Sequence, residues 1–189
     1  MKTAVTAVQG DFAEHEKVFR ELGADCKEIR CKEDLYPDYD LLILPGGEST
    51  TQGKLLRELG MFDIIKEKIE EGIPVFATCA GLILLAQNIS NDSRRYFASL
   101  PVTVKRNAYG RQLGSFRTSG RFGDIDNVPM TFIRAPYIED VSPDTEILAE
   151  VGGNIAAVKY RNQFALSFHP ELDPDRRIYK FVLEHINRS

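Results

Sequence analysis

Cysteine is scarce in this chain. Among 189 residues there are three, Cys26, Cys31 and Cys79. A count so low and odd argues against a disulfide framework and fits a reducing compartment, the cytoplasm. Cys26 and Cys31 read as ordinary thiols: neither has a histidine or a second cysteine pair at zinc spacing, so no metal is expected. Long apolar runs are missing as well. No stretch approaches the length of a membrane span, and the chain enters an alternating strand, Thr3 to Val8, without a signal-peptide pattern. Positive charge is not in excess either. A net charge of −4 gives no general attraction to nucleic acid or to an anionic membrane. No internal repeat or low-complexity segment is visible. What is present, 43% hydrophobic and 28% charged residues, describes a soluble globular chain. Its length suits one domain, residues 1–189, with a substantial core.

The order of elements reads as α/β. A strand at Thr3 to Gln9 precedes a helical pattern from Phe12 to Leu22, stopped by Gly23. A short strand follows at Cys26 to Ile29. Leu41 to Leu44 is continuously apolar, as expected of a strand buried on both faces. Pro45-Gly46-Gly47 ends it. Ser49 with Gln52 forms a capping-box pattern for a helix from Thr50 to Leu59, and a second amphipathic helix spans Phe62 to Glu71. The apolar run Ile73 to Phe76 then leads through Cys79 into a helix-like run, Leu82 to Ala86. Such alternation predicts a parallel sheet covered by helices. Asn88 to Leu100 reads as a surface loop. The second half is β-rich: Val102 to Lys105, Gly114 to Thr118, Met130 to Arg134, Glu146 to Val151, Ile155 to Tyr160 and Phe164 to Phe168. Some of these are expected as antiparallel additions at one edge. The last helix is expected from Pro174 to Ile186, with the proline at its start.

Chemistry concentrates in two stretches, Ala77-Thr78-Cys79-Ala80-Gly81 and His169-Pro170-Glu171. A nucleophile on a sharp strand-to-helix turn is pushed out above the sheet edge. A helix N-terminus beneath a cysteine favours its thiolate form. Pro170 disfavours helical geometry at His169, so that residue is expected in extended backbone. There, residues two apart share a side, which lets Glu171 orient His169 while the imidazole activates a thiol. Active sites of open α/β sheets lie at the carboxyl ends of strands. Pro45-Gly46-Gly47, Cys79 and His169 all fall at such ends. Each piece alone has an ordinary reading: a core cysteine, a turn before the last helix, a tight connection. Their combination in this order is what is specific. His15 falls within the first helix, as a surface or partly buried side chain, and His185 lies near the end of the last one.

Two other readings fare worse. Ser93 to Gly123 holds seven Arg or Lys and no acid, with Tyr109, Phe116 and Phe122 interleaved, which invites a nucleic-acid reading. The acidic whole and the lack of a binding motif argue against it. Gly47 to Leu55 is no P-loop: the spacing before Gly53-Lys54 is wrong, and Leu55 stands where Ser or Thr is needed.

Pro45-Gly46-Gly47-Glu48-Ser49-Thr50-Thr51, Thr78-Cys79-Ala80-Gly81-Leu82 and Phe168-His169-Pro170-Glu171-Leu172 resemble a class I, triad-type glutamine amidotransferase. Arg106-Asn107-Ala108-Tyr109-Gly110-Arg111-Gln112, Phe132-Ile133-Arg134-Ala135-Pro136 and Val8-Gln9-Gly10 narrow the resemblance to the glutaminase subunits of pyridoxal 5′-phosphate synthases. It runs from Val8 to the final helix. The resemblance implies a flavodoxin-like three-layer sandwich with a mostly parallel central sheet and antiparallel additions. It implies hydrolysis of L-glutamine to glutamate and ammonia through a glutamyl thioester, without a cofactor. Cys79 is the nucleophile it implies, His169 the acid and Glu171 the group that orients His169. Gly47, Glu48, Ser49, Arg106, Ile133 and Arg134 hold glutamine; Gly46, Gly47 and Ala80 are the oxyanion donors. The partner it implies is a (β/α)8-barrel synthase subunit in a hetero-oligomer, which receives the ammonia and whose docking sets the glycine loop. Two alternatives stand beside it. One is the glutaminase subunit of another amidotransferase, such as the histidine-pathway one. The other is a non-catalytic glutaminase-like binding module.

Overall fold

A computed structural model of the chain describes residues 1–36, 38–108 and 114–188. The first half alternates strand and helix. It runs β1 (Lys2–Thr6), α1 (Phe12–Glu21), β2 (Asp25–Ile29), β3 (Leu41–Leu44), α2 (Ser49–Glu58), α3 (Phe62–Glu70), β4 (Val75–Thr78) and α4 (Ala80–Leu85). The four strands lie side by side in the order β2-β1-β3-β4, all parallel. Short apolar strands joined by amphipathic helices leave no other economical pairing, because each helix must return the chain to the starting end of the sheet.

The second half completes the sheet from the other side. After β5 (Ala86–Ile89) and β6 (Leu100–Lys105) come β7 (Ser115–Phe122), β8 (Ile125–Ile133), β9 (Tyr137–Val141), β10 (Glu146–Val151), β11 (Asn154–Tyr160), β12 (Gln163–Leu166) and α5 (Arg177–Arg188). The last strand, β12, inserts beside β4 and parallel to it, with Leu166 opposite Thr78. β11 returns antiparallel to β12, and β10, β9 and β6 extend this antiparallel part, with β5 parallel to β6 at the rim. The expected fold class, a parallel sheet with antiparallel additions, is what the structure has. β7 and β8 form a separate two-stranded ribbon.

Alternate residues of the central strands face opposite cores. Val75 and Ala77 pack with Leu56, Ile65, Leu82 and Leu85 on one face. Phe76 packs with Val18, Phe19, Phe132 and Tyr179 on the other. Helices therefore cover both faces, α2, α3 and α4 on one and α1 and α5 on the other.

Several local expectations shift. Asn88 and Ile89 belong to a strand rather than a loop, and Ile89 is buried against the rim of the sheet. β9 was not expected at all. Glu48, not Ser49, caps α2: its carboxylate accepts from the Thr50 N–H at 3.4 Å. Gln52 turns inward instead of closing a capping box, donating to the carbonyl of Gln9 at 2.9 Å. The last helix starts at Arg177, whose N–H is taken by the Asp175 carboxylate at 2.9 Å.

Candidate active site

Cys79 is the single residue between the end of β4 and the start of α4. To make that turn its backbone takes φ 46° and ψ −98°, a sparsely populated conformation for a residue with a side chain. Two anchors hold it there. Its N–H donates to the Leu166 carbonyl on β12 at 2.8 Å. Behind it, Gly81 packs directly on the backbone of Leu44, where a Cβ would collide with the carbonyl oxygen.

His169 follows β12 by a few residues. Its N–H donates to the Thr131 carbonyl on β8 at 2.8 Å, which ties the histidine to the β7–β8 ribbon. The backbone at His169 is open, φ −112° and ψ 84°, but Pro170–Leu172 is a 3₁₀ turn rather than an extended run. Glu171 still reaches the ring: its Oε1 is 2.6 Å from His169 Nδ1, and both residues are buried. A second carboxylate, Asp11, places Oδ2 at 3.4 Å from the same nitrogen. Burial pulls the imidazole toward its neutral form. Hydrogen bonding with Asp11, Cys79 and Glu171 outweighs this and pushes its pKa up to about 12. The bond to His169, opposed by burial, lowers the Asp11 carboxyl in return. With Nδ1 held by Glu171, Nε2 is the nitrogen left for the sulfur.

The glycine loop closes over this pair. Gly46 approaches so near that a Cβ there would lie 2.5 Å from His169 Cε1. Its carbonyl accepts from the Asp11 N–H at 3.1 Å and from Gln52 Nε2 at 3.2 Å. Gln9 Oε1 accepts from the Glu48 N–H at 2.9 Å, fixing the next peptide.

A cavity of about 280 Å³ opens between these parts. Gly47, Glu48, Ser49, Cys79, Arg106, Ile133, Arg134 and His169 line it, together with Gln9, Gly10, Asp11, Ile83 and Asn107. Gly46, Ala80 and Glu171 are not in its lining; Glu171 stands behind His169. Arg106 is already engaged, with Glu48 Oε1 at 2.8 Å and Asp92 Oδ2 at 2.7 Å. Hydrogen bonds from Arg94 first, and then from Arg106, hold the Asp92 carboxyl well below the usual range, against the opposing effect of burial. Tyr109 to Gln112 of the Arg106 motif lie outside the described residues.

Four contributors were not expected from the sequence: Asp11, Gln52, Asp92 and His15. His15 is no surface side chain; it is fully buried behind the Glu171 carboxylate. Donor atoms of Asp11, His169 and Glu171 lie within 4.8 Å of one another. Within this cluster the short Glu171 contact occupies His169 Nδ1. Among the described residues no helix is long and apolar enough to cross a membrane.

Comparison with known proteins gives the chain its family. A protein 64% identical over 187 residues, covering 99% of this chain and 94% of the relative, is the pyridoxal 5′-phosphate synthase subunit PdxT of Desulfitobacterium hafniense (strain DSM 10664 / DCB-2). The PdxT subunit of Bifidobacterium longum (strain NCC 2705) is 48% identical, with 96% of this chain and 98% of the relative covered. A crystal structure of a glutamine amidotransferase superposes with a TM-score of 0.92 at 40% identity, over 98% of both chains. The model of the SNO glutamine amidotransferase family matches residues 5–188, and this chain belongs to that family.

Proposed function

We propose that this chain is the glutaminase subunit of a pyridoxal 5′-phosphate synthase, working in the cytoplasm. The observation that carries the chemistry is the meeting of Cys79, the His169–Glu171 pair and the glycine loop at one wall of an amino-acid-sized cavity. In this reading the Cys79 thiolate attacks the side-chain carbonyl carbon of L-glutamine. The negative charge that develops on the carbonyl oxygen is met by the Ala80 N–H, free of an intrahelical acceptor at the first position of α4, and by the Gly46-Gly47 loop. His169 gives its proton to the departing nitrogen, the C–N bond breaks, and ammonia leaves a glutamyl thioester. Water then attacks the thioester, His169 takes its proton, and the C–S bond breaks to give glutamate. Glu171 keeps the imidazole turned and its charge balanced throughout.

Arg106 receives the substrate α-carboxylate, a bidentate match for a guanidinium. Of its two present partners, the Glu48 side chain is 48% exposed and that of Asp92 11%. Glu48 is thus the carboxylate that substrate displaces, and Asp92 the one that keeps the guanidinium in place. Gly47, Ser49, Ile133 and Arg134 complete the pocket. Ammonia is easily lost to protonation, so the reaction is useful only beside an acceptor. In the proposed hetero-oligomer the acceptor is the (β/α)8-barrel synthase subunit. Reorienting the Gly46-Gly47 peptide must break its bonds to Asp11 and Gln52, and docking of that subunit supplies the trigger.

The test is glutamate release from glutamine, with and without a cognate synthase subunit, using Cys79→Ala as the blank. The expected result is release that depends on Cys79, by about 10⁴-fold or more as for removal of a triad nucleophile, and that rises with the synthase. Release indifferent to that synthase would point to another acceptor. No release under either condition would overturn the reading.

A further inference from the structure

Beneath the triad carboxylate lies a second histidine that the chemistry above leaves unused. His15, on α1, is fully buried. Its Nε2 lies 3.1 Å from Thr78 Oγ1 and 3.5 Å from Glu171 Oε2, and its Nδ1 lies 3.0 Å from the Tyr179 hydroxyl on α5. Glu171 spends Oε1 on His169. Its Oε2 is buried and has no conventional hydrogen bond among the described residues, and His15 Nε2 is the polar atom set toward it. A buried carboxylate oxygen without a donor is costly.

The tautomer can be worked out from the partners. Burial lowers the His15 pKa, so the ring is neutral and carries one N–H. Burial raises that of Tyr179 well above its usual value, so its hydroxyl keeps its proton. If Nδ1 held the ring proton, the Nε2 lone pair would face the Glu171 oxygen. If the Tyr179 O–H donates to Nδ1, Nε2–H points between Thr78 and Glu171, and the Glu171 oxygen faces a donor rather than a lone pair. The groups that face His15 electrostatically are Asp11, Glu14, His169 and Glu171.

We infer that His15 is a positioning residue of the triad: its Nε2–H, fixed by Tyr179, holds the second oxygen of Glu171 and keeps that carboxylate turned to His169. The inference rests on the triad reading above. A polar line then runs Tyr179–His15–Glu171–His169–Cys79, tying α5 and α1 to the nucleophile turn. Removing the donor leaves the second oxygen of Glu171 unheld, so the carboxylate can turn away from His169. The ion pair weakens and His169 releases its proton at lower pH.

Three variants of the full chain test this with the synthase subunit present: His15→Phe, His15→Gln and Tyr179→Phe. His15→Phe is expected to lower kcat by about 10- to 100-fold, as loss of an orienting partner does, with KM for glutamine within about twofold. It is also expected to move the alkaline limb of the pH–rate profile to lower pH. His15→Gln, whose side-chain amide can donate to the same oxygen, should recover most of kcat and the profile. Tyr179→Phe should fall between them. The ring signal of His169, assigned by its loss in His169→Asn, gives a substrate-free readout of the same shift. An unchanged His169 titration in a folded His15→Phe, or a Gln variant no better than Phe, would overturn the inference. If His15→Phe does not fold, Tyr179→Phe decides, an unchanged titration again counting against it. A wild-type chain without glutaminase activity would sink the proposed function, while the His169 titration would still decide the role of His15.

Discussion

Two buried histidines, His15 and His169, lie on opposite sides of Glu171 and are driven in opposite directions. Burial lowers the pKa of His15, while bonding with Asp11, Cys79 and Glu171 overcomes burial at His169 and pushes it to about 12. The two shifts make separate demands on stability. His169 holds a proton the unfolded chain has released, so its contribution is complete below about 6.5 and is lost as pH climbs toward about 12. His15 refuses a proton that the unfolded chain accepts, so its contribution is present above about 6.5 and is lost as pH falls. Stability measured by urea unfolding should therefore peak near pH 6.5. His15→Gln should flatten the decline between about pH 6.5 and 5, and His169→Asn the decline on the alkaline side. A decline between about pH 6.5 and 5 that survives His15→Gln would contradict this account. The sequence did contain a sign of the burial of His15: it stands in the apolar stripe Phe12, His15, Val18, Phe19, Leu22 at helical spacing. Asp11 and Asp92 gave none, because a loop carboxylate looks the same whether it faces solvent or an imidazole.

Among the elements, α4 depends most on a close approach. A Cβ on Gly81 would meet the Leu44 carbonyl oxygen, which belongs to the neighbouring strand and cannot move aside. Alanine is the better helix former by about 1 kcal/mol, but overpacking costs about 1–3 kcal/mol, so sterics should win. Gly81→Ala is expected to lower the melting temperature by several degrees and to disturb Cys79 with it, checked by thermal unfolding beside glutamate release. Long apolar or strictly patterned segments were readable in advance: β3, β10 and the helices of the first half fall within a few residues of their expected places. Short partly exposed strands such as β5 and β9 were not, since their pairing partners lie far along the chain and local pattern cannot name them. The same holds for His169 and Glu171. Their contact was foreseeable, but the 3₁₀ turn that makes it was not, because proline fixes its own φ and only restricts its neighbour.

For the molecule as a whole, the central sheet is the shared wall of two cores, and Phe76 shows how tightly they are set. Its ring meets Phe19 at 6.2 Å, Tyr179 at 5.3 Å and His15 at 5.9 Å, each nearly edge-on. Phe76→Ala should cost about 3–5 kcal/mol, a large share of the roughly 5–15 kcal/mol that holds a typical domain together. Chemical denaturation would reveal it as a lower midpoint with little change in slope. The order of the sheet, with the last strand placed beside β4, has a consequence for how the protein is made. The ribosome delivers Cys79 long before β12 and His169 exist. Until they emerge, the inner edge of β4 lies open, and the cysteine has neither the Leu166 carbonyl to fix its turn nor a base beside it. An interrupted product of translation therefore carries Cys79 without the strand that shapes its turn and without the imidazole that meets it, so the proposed chemistry belongs to the finished chain alone.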